Sequence, residues 1–523
     1  MRISPFLLLI FVCQNLFSQE ATILLKNGKI IDGTGNSWFR GDIAIKDGKI
    51  LRIGQLNNWQ AQKTIDVSNL IVAPGFIDVH AHIEGDEKKN PLASNFIYDG
   101  VTTVITGNCG LSEVNIGGYL NMIDSLKVSV NVAVLIGHND VRKAVMGSVN
   151  RDPSELELQQ METIVEQAMQ DGAVGLSTGL IYIPGTYSKT NEIVRLAKVA
   201  AKYNGIYASH MRDEGDEVTS AIEETFAIGR AANIPLEISH FKLSGQQNWG
   251  RSKITIPMIE KARRAGIDVT IDQYPYTASS TSLSTLLPDW VLADGQDSIK
   301  VRLANPSIRK EVKAYMIAKL KKRKLSHFSY PVVASYKADS TLNGKSIEQV
   351  NLIKGNKHTA LAEAETIVNM MEQGGAGMVF HGMSDEDVKN IMRYPFNMFA
   401  SDASIRIFKQ GNPHPRGYGT NARVLGKYVR QEKVLSLEEA IRRMTSLPAQ
   451  KFHLNNRGLL REGFAADLVV FDEQTVMDAS TYDQPHQYSK GFEYVLVNGQ
   501  LAVDNGIQNE SRNGTTLRNK IQK

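Results

Sequence analysis

At 523 residues the chain exceeds an ordinary single domain, although barrels of alternating strands and helices run past about 250 residues once insertions are included. Hydrophobic residues at 42% and charged ones at 22% supply a sizeable core and exclude disorder as the default. The 59 basic residues against 55 acidic leave a net charge of +4 with no long basic run, so neither nucleic acid nor an anionic membrane is implied as a partner.

The chain begins Met1-Arg2, followed by a short apolar block to Val12 and a small residue, Ser18, before polar sequence. That is the layout of a secretory signal peptide over residues 1–18. The block is too short to span a bilayer, and no other uninterrupted apolar stretch of about 18 residues follows. The expectation is an exported protein, periplasmic or secreted, with no membrane insertion after cleavage. Lipidation at Cys13 is the poorer reading, because Val12 stands where a lipoprotein signal places a small residue. Cleavage leaves Cys109 as the lone cysteine, which excludes an intramolecular disulfide. A buried cysteine acting as a small hydrophobe is the bland reading; a metal-bound thiolate is the chemical one.

From 19 to 72 short apolar runs alternate with Asn-Gly and Asp-Gly turns, as in Ile23 to Gly28 and Asp42 to Gly48, which are hairpin signals. The same texture returns over 455–523, in Asp467 to Asp472 and Tyr494 to Val503. The two ends are expected to build one β-sandwich around a central domain, 73–454. There strands and helices alternate, the pattern of a parallel sheet with crossover helices. Eight strands are expected, at Ile71 to Val79, Thr102 to Thr106, Asn131 to Gly137, Ala173 to Thr178, Gly205 to Ser209, Pro235 to Ser239, Asp268 to Asp272 and Asn397 to Ser401. Helices are expected between several of them, at Glu155 to Gln170, Thr190 to Tyr203, Asp216 to Ala232 and Ile254 to Arg264, where apolar residues recur at spacings of three and four. Eight is the number that closes a barrel, so the fold class is α/β, a (β/α)8 TIM-like barrel. The stretch from about 282 to 378 is too long for one crossover and reads as an insertion that covers the mouth. Its basic patch, Lys319 to Lys324, reads as a solvated helix face.

The chemistry gathers at strand ends, where a barrel of this kind carries its site. His80 and His82 alternate on one strand and project to the same side. Cys109, His210, His240 and Asp402 each close another short apolar or β-branched run. Four histidines, a cysteine and an aspartate suit one or two zinc ions and disfavour hard oxygen-seeking ions. His138 also ends a strand and reads as a polar contact at the edge of the pocket. His327, His358, His453 and His486 have no supporting context.

Six motifs then match a known family: Pro74 to His82, Gly100 to Gly110 with its Asn-Cys-Gly element, Gly179 to Gly185, His210 to Glu214, Ser239 to Lys242, and His414 to Thr420. From about residue 22 to 505 the chain resembles the N-acyl-D-amino-acid deacylases (D-aminoacylases) of the amidohydrolase superfamily. The resemblance implies that Cys109, His210 and His240 hold a tightly bound zinc, and that His80, His82 and Asp402, with Cys109 shared, form a second, weaker site. It further implies that Asp402 is the catalytic carboxylate. Lys242, Tyr274 and Arg416 would hold the substrate's α-carboxylate, with Tyr182 near the pocket. Two positions depart from the family pattern: Asn421 replaces a common phenylalanine, and Ala403 a glycine or serine. Both bear on side-chain preference.

Zinc-assisted amide hydrolysis would use Asp402 to take a proton from water and return it to the leaving amine. Arg416 suits a carboxylate through its two-pronged fork. The implied activity is deacylation of N-acyl-D-amino acids, small molecules, and the D preference rests on the resemblance alone. A dipeptidase acting on D-residue dipeptides, or a cyclic amidase of the hydantoinase or dihydroorotase kind, would keep the machinery. A catalytically silent zinc- or carbohydrate-binding scaffold is the alternative from another class. Oligomeric state is not legible.

Overall fold

The computed structural model describes residues 20–519; the expected signal peptide lies outside them. Among the described residues no helix is long and apolar enough to cross a membrane. Both chain ends contribute to one nine-stranded sheet. Glu20–Ile30 pairs antiparallel with Phe39–Lys46 and parallel with Gln60–Asp66, while Ile71–Pro74 pairs antiparallel with Leu468–Phe471. Alternating residues of both ends, among them Ile23, Leu25, Ile43, Ile45, Leu468, Val470 and Leu496, meet in one apolar cluster.

The run expected as a single strand from Ile71 to Val79 is instead two. Ile71–Pro74 belongs to the nine-stranded sheet, and Phe76–Asp78 pairs in parallel with Val101–Thr106. The division falls at Gly75, where the chain passes so close to Thr102 that an added Cβ would sit 2.2 Å from its hydroxyl oxygen. Only glycine fits such an approach.

The remaining parallel strands follow in hydrogen-bonded order. Val101–Thr106 pairs with Asn131–Val134, which continues through Leu135 into Ile136–Gly137. Then come Gly175–Gly179, Ile206–His210, Leu236–Ile238, Val269–Gln273 and Asn397–Phe399. Every residue of these strands is buried, as expected where helices cover one face and other strands' side chains the other. Backbone hydrogen bonds from Asp402 to His80 (2.8 Å) and from His82 to Ala403 (2.9 Å) join the last of these segments to the first.

The expected helices are present. Glu155–Gln170 starts from a capping box in which Ser154 and Glu157 satisfy each other's backbone N–H groups. Thr190–Lys202, Val218–Ala232 and Ser252–Arg264 place Ile193, Leu196, Ile222, Phe226 and Ile259 in the core shared with the strands.

The insertion has its own three-stranded antiparallel sheet, Ala278–Ser282 and Pro331–Ser335 flanking Gly377–His381. Its own apolar cluster joins Leu303, Val312, Met316, Leu320, Ile347, Val350, Ile367 and Met371. The basic patch is a largely solvated face, as expected, with Lys319, Lys321, Lys322 and Lys324 exposed, and two of its residues also have partners. Lys322 forms a 2.6 Å ion pair with Asp216, and the Arg323 guanidinium lies 4.9 Å over the Tyr330 ring. With Lys319 these residues line a cavity.

Candidate metal centre and active site

The six donors named from the sequence converge. His80 Nε2 lies 3.2 Å from Cys109 Sγ, and the same sulfur lies 3.4 Å from His210 Nδ1 and 3.5 Å from His240 Nε2. Asp402 Oδ1 is 3.4 Å from His82 Nε2 and 3.8 Å from His80 Nε2. The donors fall into overlapping groups: His80, Cys109 and His240; His80, His82 and Asp402; and His210, Glu214 and His240. Their strands deliver them from neighbouring positions, and three then turn sharply. Cys109 (φ 53°), His240 (φ 36°) and Asp402 (φ 50°) all adopt left-handed backbone. Such conformations are costly for side chains with a Cβ and cluster at functional sites.

The electrostatics suit a cation. Burial pushes the Cys109 thiol up, but the imidazoles of His80, His210 and His240 outweigh it and hold the thiol well below its ordinary value. Burial likewise opposes ionisation of Asp402, yet the Arg416 guanidinium and a hydrogen bond from His82 pull its carboxyl well below the usual range. A buried thiolate and carboxylate set among four imidazoles form an anionic, nitrogen- and sulfur-rich donor set that a borderline-soft divalent ion satisfies. His210 Nε2 is buried without a hydrogen-bond partner, a free donor atom at this cluster.

Two carboxylates absent from the sequence-based ligand set support the ring. His240 Nδ1 is 2.9 Å from Glu214 Oε1, and His80 Nδ1 is 3.3 Å from Asp272 Oδ2. A carboxylate on the far nitrogen fixes an imidazole's tautomer and orientation. Glu214 closes the His210 motif, and Asp272 ends a strand as the proposed ligands do, so the strand-end signal was present for it too.

The substrate-facing residues divide. Arg416 Nη1 sits 2.9 Å from Asp402 Oδ2, outside hydrogen-bond alignment, and the guanidinium lies 4.5 Å over the Tyr274 ring. Arg416 Nε and Nη1 and the Tyr274 hydroxyl are buried without hydrogen-bond partners. Lys242 is differently placed. Its ammonium is occupied by Glu214 (2.5 Å), by His240 Nδ1 (2.7 Å) and by the His240 carbonyl (2.8 Å). The Tyr182 ring packs edge-on to His210 at 4.9 Å, and its hydroxyl is 2.9 Å from Thr281 Oγ1 of the insertion. Tyr182 and Glu214 also line a cavity of about 640 Å³ bounded by Arg212, Thr281, Lys322 and Tyr330.

His138 makes a 2.8 Å contact with Glu192, which also pairs with Arg142, a buried polar network. Ala403 is buried and accepts the His82 N–H. Asn421 is not among the residues lining the cavity; its backbone N–H (2.7 Å) and side-chain amide (3.1 Å) donate to Asp99. Asp99 also accepts from Ala422 N–H and the Ser489 hydroxyl, pinning the helix that carries Arg416. Burial outweighs these donors and raises the Asp99 carboxyl to about 7. A folded-state value above the unfolded one means that the contribution is fully present below about pH 4 and is lost as pH rises through about 7. Wild type is therefore expected to lose stability relative to Asp99→Asn by about 1 kcal/mol per pH unit over pH 5–7, measured as urea midpoints converted to free energy. Parallel pH profiles would refute this.

A model of the amidohydrolase family matches residues 63–285 and 346–503. The D-aminoacylase of Alcaligenes xylosoxydans xylosoxydans is 35% identical over 506 residues, covering 92% of this chain and 94% of that protein. A D-aminoacylase structure described for its binuclear metal centre, with one-metal activation and second-metal attenuation, superposes at a TM-score of 0.81 with 32% identity, over 95% of this chain and 100% of that one. The N-acyl-D-glutamate deacylase of Bordetella bronchiseptica, complexed with zinc and a phosphonate that mimics the tetrahedral intermediate, superposes at 0.81 with 33% identity over the same shares. The chain is a hydrolase of the amidohydrolase family and belongs to its N-acyl-D-amino-acid deacylase branch.

Proposed function

We propose that the protein is a zinc-dependent deacylase that hydrolyses the amide bond of N-acyl-D-amino acids, releasing a carboxylate and a free D-amino acid. The observation that carries this reading is a pair of buried donor atoms without hydrogen-bond partners among the described residues, Arg416 Nε and the Tyr274 hydroxyl; the Arg416 guanidinium pairs with Asp402 and lies over the Tyr274 ring. Leaving such groups unsatisfied costs about 1–3 kcal/mol each, which a bound carboxylate removes. An anchored α-carboxylate places the adjacent amide at the donor cluster and separates acyl amino acids from plain amides. Lys242 is the neighbouring cation. It braces Glu214 and His240 and adds positive potential to the carboxylate subsite.

Cys109, His210 and His240 would hold the tightly bound zinc, and His80, His82 and Asp402 a weaker second ion. Bound zinc supplies a Lewis acid for the scissile carbonyl and lowers the pKa of a coordinated water from about 15.7 to about 7. Asp402, ionised and within 3.4 Å of His82, is the group that accepts a proton from water and returns it to the departing amine. Tyr182, fixed by Thr281, closes the pocket on the His210 side and excludes water.

Beside the nine-stranded sheet that the two ends share, expected as a β-sandwich from 19–72 and 455–523, the scaffold we propose is a (β/α)8 barrel over 73–454. Its support is the order of parallel strands and the bonds from His82 and Asp402 that join last to first. The leader-like sequence of 1–18 supports export to the periplasm or medium, where external or envelope-derived acyl amino acids are the substrates. Recovery of the mature protein from the cytoplasm alone would sink that part.

The test is amine release by zinc-loaded protein from matched N-acetyl-D- and N-acetyl-L-amino acids, dipeptides with a D residue, and a hydantoin. Turnover of the acetyl-D forms, with the L forms at least about 100-fold slower, is expected. Preference for dipeptides, L forms or the cyclic amide overturns the substrate assignment.

A further inference from the structure

The insertion brings together a second set of donors that shares no residue with the catalytic cluster. His327, Glu348, His358 and Glu363 each offer one atom, and these atoms all lie within 4.8 Å of one another. They come from three separate segments. His327 precedes strand Pro331–Ser335, Glu348 lies in the first turn of helix Ile347–Ile353, and His358 and Glu363 straddle the start of helix Ala360–Glu372. His327 Nδ1 is 2.6 Å from Glu363 Oε1 and 3.9 Å from Glu348 Oε1, and His358 Nε2 is 2.6 Å from that same Glu348 oxygen.

Two ordinary surface His–Glu pairs would be the bland account, and three features oppose it. Glu363 is fully buried, and its Oε2 is held at 2.7 Å by the Phe328 N–H, which aims Oε1 at the cluster. A buried carboxylate needs a compensating cation. The two imidazoles stack with centroids 4.1 Å apart and an interplanar angle of 26°, an arrangement that disfavours protonating both rings. One divalent ion would neutralise both carboxylates and leave both rings neutral. Finally, tetrahedral coordination with bonds of about 2.0–2.2 Å places neighbouring donors about 3.3 Å apart. The 2.6 and 3.9 Å separations bracket that value, and the 4.8 Å bound on the whole set leaves adjustments of at most about 1.5 Å to close the shell.

We propose that these four side chains form a divalent metal site of the zinc class, with two imidazole and two carboxylate ligands, that fastens three segments of the insertion together. Four protein donors close a tetrahedral shell, which makes the site structural rather than hydrolytic. It holds no thiolate, and this distinguishes it from the centre around Cys109.

The test is metal binding by the full chain, stripped of metal and titrated with zinc and, separately, with cobalt(II). Wild type is expected to bind one zinc equivalent more than either His358→Ala or Glu348→Gln. His358 is half exposed and Glu348 partly so, which makes both changes tolerable to the fold. The extra cobalt equivalent should add visible d–d absorption without further thiolate charge-transfer absorption in the near ultraviolet. Hydrolytic rate at saturating zinc should match wild type in both variants, while the zinc-dependent rise in thermal midpoint should shrink by several degrees, about the shift that loss of one linked ligand produces. Equal zinc stoichiometry in all three proteins overturns the proposal. So does an extra equivalent that brings added thiolate charge transfer, or one that binds only at millimolar zinc.

Discussion

Replacing Asp402 by asparagine should lower kcat for an N-acyl-D-amino acid by about 10²- to 10⁴-fold while changing KM far less. Asparagine keeps the shape and one acceptor oxygen but cannot take up a proton. The wild-type carboxyl is ionised despite its burial, because Arg416 stands 2.9 Å away and His82 bonds it. It therefore stands ready as a base at neutral pH. The substitution leaves Cys109, His210 and His240 untouched, so at least one zinc per chain should remain by elemental analysis, separating a lost proton shuttle from a lost metal. A variant within about fivefold of wild type in kcat would remove Asp402 from the chemistry.

Replacing Cys109 by serine should strip the metal itself. The sulfur is in close range of three imidazoles, those of His80, His210 and His240, so its loss affects every candidate donor group that shares them. Disturbing a mere supporting partner weakens zinc by about 10–100-fold, and losing a thiolate ligand should exceed that. The expected result is release of zinc to a competing chelator under conditions where wild type keeps it, with turnover falling in step. Because Cys109 is the lone cysteine among the described residues, wild type carries its own control. Its low-pKa thiol should react with a disulfide reagent when metal-free and resist it when zinc is present. Zinc held by Cys109→Ser with wild-type affinity would show that the sulfur is only a packing atom.

The convergence of the candidate donors was legible because a parallel strand with a run of β-branched residues is easy to find, and its last residue has a defined place in such a fold. That logic located His210, His240 and Asp402 without any contact information. It passed over Asp272, next to the end of strand Val269–Gln273, because nothing in the local pattern shows that its carboxylate reaches the far nitrogen of His80. Glu214 acts through a turn, so only the folded path of 210–214 reveals its reach to His240. The division at Gly75 depends on Thr102 from the next strand, a contact invisible in the local pattern. The basic patch at Lys319 to Lys324 reads as a helix face but does not say which neighbour it meets, hence the unforeseen pair of Lys322 with Asp216. His327 and His358 stand 31 residues apart, 358 − 327, and only packing of the insertion stacks them.

The insertion leaves and rejoins the parallel strands through two strands that lie side by side, with Ala278 directly opposite His381. Cross-strand partners sit only about 4.5–5.5 Å apart. Entry and exit therefore form a narrow neck, and everything between them packs around a private apolar cluster while none of the six candidate metal donors lies within it. The side of the pocket contributed by Thr281, Lys322 and Tyr330 is thus mounted on an interchangeable cassette. A graft of this segment between relatives is therefore expected to change what the cavity admits beside the candidate donor cluster while leaving Arg416 and Tyr274, the proposed carboxylate anchors, in place.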